Sequence, residues 1–407
     1  MGTTVTRPGR TGTIAALCLA LAAGPPATEA AAEPATRGTG IQVTLPPPAG
    51  KHPVGTVALH LVDRSRPDPW VEGRAYRELM VSVWYPARRR AGLPTAPYMP
   101  PLAAADFGRT LAAFLGVQPG DVDWAGATTH SQEGAPMDRA GGRLPVVLYS
   151  SGFRAPRTIG TTVVEDLASR GYVVVSVDHT YETAQVEFPG GRLERTVVTA
   201  DWTEEDMAKA VDVRVDDMAF VLDQLARLNR GHNPDADRRA LPAGLRGGLN
   251  LSRIGALGHS MGGSTALQLA HDDRRVDAGV NLDGGHRGPV ARTGLAKPFL
   301  QMAAEPHTRA SDPTWQSLWD RSTGWKRELR FTGAEHISFS DAQALLPQFA
   351  DKLQLDPSDL IGTIDPGRSI AAQRTYAAAF FDLHLKTRGT PLFDRPSPRH
   401  PEVTLIP

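Results

Sequence analysis

The residues with the most chemistry in them are Gly258-His259-Ser260-Met261-Gly262, extended by Gly263. A serine with glycine two positions away on each side has the spacing of a sharp turn between a strand and a helix. RIGAL (253–257) reads as that strand and Gly262 to His271 as that helix. On such a turn the glycines let strand and helix approach, and the hydroxyl of Ser260 projects at the end of the strand. The backbone N–H of Met261, at the helix N-terminus, then points where an oxyanion would develop. A glycine-rich turn carrying an idle serine is the plain alternative, and the flanking strand and helix weigh against it.

A serine hydroxyl needs a base, and the base needs an orienting acid. Of the histidines after Ser260, His336 in Gly333-Ala334-Glu335-His336 directly follows the last strand pattern and is the best-placed base. His286 and His307 also follow strand ends and remain open; His271, His384 and His400 fall on helices or in the tail. Two acids compete on position alone. Asp283 ends VDAGVNL (276–282) and runs into a tight Gly284-Gly285 turn, whereas Glu305 ends the next strand. A second oxyanion donor is expected from Ser150-Ser151-Gly152-Phe153-Arg154, with the N–H of Phe153 as the candidate.

These residues need a frame at whose edge they meet. Val54 to Val62 and Leu79 to Tyr85 alternate and suit an antiparallel pair. From Leu144 on, short apolar runs alternate with helical stretches. The strands are 146–150, 172–179, 253–257, 276–282, 297–304 and 326–333, and the helices are 158–170, 207–228, 262–271 and 370–386. In the helix from Met207 to Leu228, Val211, Val215, Met218, Leu222 and Leu225 make one buried stripe. The pattern predicts an α/β fold with a mostly parallel central sheet covered by helices on both faces. Residues 87–143 and 184–250 are long insertions placed to border a substrate site.

The ordered set Ser151-Gly152-Phe153, Asp166-Leu167-Ala168-Ser169-Arg170-Gly171-Tyr172, Val177-Asp178-His179, Gly258-His259-Ser260-Met261-Gly262-Gly263 and Asn281-Leu282-Asp283 resembles the plasma-type platelet-activating factor acetylhydrolases and their bacterial lipase- or esterase-like relatives. The resemblance spans roughly residues 54 to 386. It implies an α/β-hydrolase fold, Asp283 rather than Glu305 as the acid, His336 as the base, and calcium-independent hydrolysis of short acyl esters, including those of phospholipids. Family members often carry His-Gly where this chain has Ser151-Gly152, a departure that leaves the backbone donor intact. An open-cleft cutinase or polyester hydrolase, and a silent α/β-hydrolase fold that only binds, are the competing readings.

Composition narrows the class. The 407 residues carry 44 Lys plus Arg and 44 Asp plus Glu, so no polyanionic partner such as nucleic acid is called for. Neither an Asp-rich loop nor a histidine pair at metal spacing stands out, and no cofactor is expected. Arg7 and Arg10 precede an apolar run, Thr13 to Gly24, with small residues at 30–32. That is the layout of an export signal over 1–32, which predicts secretion. Leu17 before Cys18 argues against lipidation, and the mature chain would hold no cysteine. Residues 33–50 read as a linker, 51–390 as the hydrolase domain and 391–407 as a tail. If helical from about Leu102, the segment Tyr98 to Val117 aligns Phe107, Leu111 and Phe114, with Leu115 beside them. Such a face suits a buried helix, or a lid in transient contact with a lipid surface.

Overall fold

The computed structural model describes residues 39–199 and 202–407, so the expected export signal and Cys18 lie outside the described residues. The chain opens with β1 (Val54–Asp63), β2 (Arg77–Pro86) and the short β3 (Thr95–Pro97). Helix α1 (Pro101–Leu115) and β4 (Thr128–Glu133) precede β5 (Leu144–Ser150), α2 (Thr161–Ser169) and β6 (Val173–Asp178). A hairpin, β7 (Gln185–Phe188) and β8 (Arg192–Arg195), leads to α3 (Glu204–Asn229), β9 (Leu249–His259) and α4 (Met261–Asp272). The remainder is β10 (Ala278–Leu282), β11 (Phe299–Ala304), α5 (Pro313–Arg321), β12 (Lys326–Phe331), α6 (Pro366–Lys386) and β13 (Val403–Ile406), with single-turn helices between.

Among the described residues one eleven-stranded sheet runs in the order β13-β12-β11-β10-β9-β5-β6-β2-β1-β4-β3. Strands β6, β5, β9, β10, β11 and β12 are parallel neighbours, and β1 and β2 pair antiparallel as expected. The valine-rich β5 and β6 are buried on both faces, which explains their continuous apolar runs. On one face, Met218, Val221, Leu222 and Leu225 of α3 pack with Ala266 and Leu269 of α4. On the other, Val164 and Leu167 of α2 meet Tyr376, Phe380 and Phe381 of α6. Each fully buried side chain of this size contributes about 1.5–3 kcal/mol relative to exposure. This is an α/β-hydrolase fold.

Two boundaries differ from the sequence reading. The described part of the expected linker is packed: Val43 and Leu45 enter an apolar cluster with Phe107, Trp124 and Phe349. The Arg374 guanidinium donates to the carbonyls of Pro46 and Pro47. Proline-rich composition marks extended chain, and extended chain can lie on a core as well as hang free. At the other end the expected tail contributes β13, paired antiparallel with β12 from Phe331↔Val403 to Glu328↔Ile406. Four residues at an edge leave too short an alternation to separate a strand from a coil.

Candidate active site

The register of the parallel strands sets the site. Leu282 lies beside His259 and Met302, and Ala304 beside Phe331, so the carboxyl ends of β9 to β12 form one row. Ser260 follows β9, Asp283 follows β10, Glu305 follows β11, and His336 comes five residues after β12. Ser260 has φ 56° and ψ −124°, a strained position for a side-chain-bearing residue, held by the bond from its N–H to the Leu282 carbonyl at 2.8 Å. A Cβ on Gly258 would stand 2.1 Å from the Gly262 carbonyl oxygen, and one on Gly262 2.0 Å from that of Ser150. Only glycine lets β9, α4 and the end of β5 meet this closely.

Three expected side chains stand in one hydrogen-bonded line. His336 Nε2 is 2.9 Å from Ser260 Oγ, and His336 Nδ1 is 2.6 Å from Asp283 Oδ2. Ser260 and His336 are half-buried and Asp283 is buried. An alcohol, an imidazole and a carboxylate in this order can move the serine proton onto the ring while the carboxylate stabilises the ring's charge. Burial alone would raise the Asp283 carboxyl, but the His307 and His336 rings hold it well below the usual carboxylate range. Glu305 is not in the line. It is exposed, and its Oε2 accepts from the Gly333 N–H at 2.7 Å, tying down the loop that carries His336. His286 is likewise elsewhere: buried, 2.6 Å from Gln301 Oε1, and pushed down to about 4 by burial.

Other contacts at the site escape sequence reasoning. His307, an open candidate for the base, lies 3.0 Å from Asp283 Oδ1 through Nδ1 and 3.0 Å from Asp312 Oδ2 through Nε2. Burial opposes its charge, yet the two carboxylates push it up to about 10. His259, the middle residue of the glycine-serine motif, donates from Nε2 to the His336 carbonyl at 2.9 Å and fastens the loop from beneath. Burial, aided by His336, pushes it down to about 3, so it is neutral.

The proposed oxyanion loop is also fastened from below. Arg214 on α3 donates to the carbonyls of Ser151 at 2.5 Å and Gly152 at 3.0 Å, and pairs with Glu182 at 2.6 Å. Glu182 in turn accepts from the Arg154 N–H at 2.7 Å. The side chains of Phe153 and Met261 share one apolar cluster, so the two expected donors belong to one corner beside Ser260. The insertions do border this corner. Trp202 packs on Phe153 with ring centroids 4.8 Å apart, and an apolar pocket walled partly by α1 opens at Ser260.

The chain has relatives among known proteins. The family described as platelet-activating factor acetylhydrolase, isoform II, matches residues 38–390. A probable 1-alkyl-2-acetylglycerophosphocholine esterase of Arthroderma benhamiae is 30% identical over 389 residues, covering 89% of this chain and 93% of its own. Platelet-activating factor acetylhydrolase of Gallus gallus is 23% identical over 294 residues, covering 65% and 68%. The solved ferulic acid esterase from Streptomyces cinnamoneus superposes with a TM-score of 0.73 at 39% identity, covering 90% of this chain and 99% of its own. The chain thus belongs to the isoform II platelet-activating factor acetylhydrolase family of ester hydrolases.

Proposed function

We propose that this protein is a secreted serine esterase in which Ser260 attacks the ester carbonyl. His336 takes the serine proton and passes it to the leaving alcohol; Asp283 orients the ring and offsets its charge. The N–H groups of Phe153 and Met261 hold the oxyanion, and water, activated by His336, then releases the acid. The observation that carries this reading is the unbroken line from Ser260 Oγ through His336 to Asp283, at 2.9 and 2.6 Å. The names of the Arthroderma and Gallus relatives favour the sn-2 acyl ester of a phospholipid as substrate. A second reading, an aromatic ester, is favoured by the Phe107, Trp124 and Phe153 rings in the pocket at Ser260 and by the Streptomyces neighbour. A recess of this kind suits a small ester better than a polymer strand. Export rests on residues 1–32, and the mass of the protein recovered from culture medium tests it.

The mechanism is tested with a fluorophosphonate probe and the Ser260→Ala variant. Labelling maps to Ser260 in the parent and disappears in the variant, and ester turnover falls by about 10⁴- to 10⁶-fold. Turnover within tenfold of the parent would sink the assignment.

A further inference from the structure

The pocket at Ser260 has an empty volume of about 810 Å³, its mouth included. Its walls include Phe107 and Leu111 of α1, Trp124, Ile159, Ile337 and Leu346. No charged side chain is among the residues that line it. The polar lining is Ser260, His259 and Ser340. Ser340 Oγ is engaged with the Ile337 carbonyl at 2.8 Å and the Ala342 N–H at 3.3 Å, and His259 Nε2 with the His336 carbonyl. A polar or ionic headgroup placed there would lose its water and find no partner in return.

Which half of the ester enters follows from the proton path, and here the argument rests on Ser260 and His336 acting as proposed. The leaving oxygen must lie at His336 Nε2 to receive its proton. The His336 ring does not line the pocket, whereas Gly152 and Phe153 of the oxyanion loop do. The alcohol half therefore departs on the histidine side, and the acyl half points between α1 and the Ile337 side. We infer that this pocket is an acyl site for an apolar acyl group well beyond acetyl, an alkyl chain of about six carbons or an aryl group of similar length. The phospholipid or other alcohol stays outside it. Each methylene buried there is worth about a fourfold gain in kcat/KM, so hexanoyl exceeds acetyl by far more than tenfold if all of it is covered.

The test measures kcat/KM for p-nitrophenyl acetate, hexanoate and cinnamate, each divided by its rate with hydroxide. The parent enzyme is compared with Leu111→Trp, which fills the pocket from α1. Leu360→Phe fills it from a lining residue outside α1 in case the first variant loses melting temperature. The parent is expected to favour hexanoate over acetate by at least tenfold, and a pocket-filling variant to cut that ratio at least tenfold. The hexanoate and cinnamate arms tell whether the group is alkyl or aryl. A parent ratio near one, or a ratio unmoved in both folded variants, overturns the acyl site while Ser260-dependent turnover of acetate leaves the esterase mechanism standing. No turnover of any ester and no labelling of Ser260 would overturn both.

Discussion

At Asp283 two imidazoles meet one carboxylate: His336 on Oδ2 and His307 on Oδ1, where the Ala304 N–H also donates at 2.7 Å. Both ring nitrogens of His307 face carboxylate oxygens, which only accept, so the ring is a cation held between Asp283 and Asp312. The Arg309–Glu328 pair at 2.8 Å is a further charged contact near His307, and burial keeps His286 neutral. The His307 cation and the His336 ring thus share one carboxylate, each on its own oxygen. Because His307 is pushed up to about 10, the cation persists through neutral pH. The His307→Gln variant removes the charge and keeps an amide donor. The folded His307 ring holds a proton that the unfolded one releases near 6.5, so the parent's stability relative to this variant should fall as pH rises from about 6.5 to about 10 in denaturant unfolding. The same pH dependence of unfolding in parent and variant would dismiss this account. At this scale the sequence exposed the proposed nucleophile, Ser260, whose signal is local spacing. It left Asp283 and Glu305 level on position; the Gly284-Gly285 turn leaned towards Asp283, and the resemblance chose it. His307 was visible as a candidate, but its role needs Asp283 and Asp312 together, and only the loop after β11 unites them.

The elements that matter most are those that deliver a single side chain. Helix α3 was legible as an amphipathic helix from Val211, Val215, Met218, Leu222 and Leu225. Arg214 lies three residues after Val211 and four before Met218, so it falls on the same stripe, and it is 1% exposed. A cation at a stripe position was the available signal that α3 serves more than packing. Its partner Glu182 lies after β6, and the pair grips the loop carrying Phe153 through the Ser151 and Gly152 carbonyls. Removing one member strands the other charge in the interior. Arg214→Ala should therefore destabilise the fold by about 3–5 kcal/mol. The double change Arg214→Leu with Glu182→Leu should cost less, yet still slow acyl transfer, because the loop loses its anchor. Denaturant unfolding and single-turnover kinetics on both variants check this. Equal stability in the single variant and the parent would show the pair to be idle.

Across the whole molecule, charge and apolar surface leave one region unusual. The formal net charge is zero, so long-range attraction to an anionic bilayer is not built into the chain. Among the described residues Tyr76 and Val197 are the exposed large hydrophobics, and neither lies beside the site pocket. The sheet and its helices were legible because their periods extend over many residues. The packed Ile41–Gly50 stretch and β13 were not, because their partners are remote in sequence. Helix α1 shows what periodicity leaves open: the stripe was readable, but not the fate of each residue on it. Phe107 is core, 5% exposed against Trp124 with ring centroids 5.0 Å apart. Phe114, two turns on, is half-buried in a separate hollow with Leu355 and Pro357, and Leu115, Leu346 and Leu360 wall both that hollow and the site pocket. Phe114 thus stands in a half-open hollow next to the site pocket without filling the core, where an apolar ring can rest on a lipid aggregate. Phe114→Ser should lower turnover of aggregated phospholipid several-fold and leave that of a soluble short-chain ester, and the melting temperature, near the parent. A buried phenylalanine would instead lose about 3 kcal/mol or more on truncation. A joint fall of both activities with the melting temperature would assign Phe114 to the core and remove lipid contact from α1.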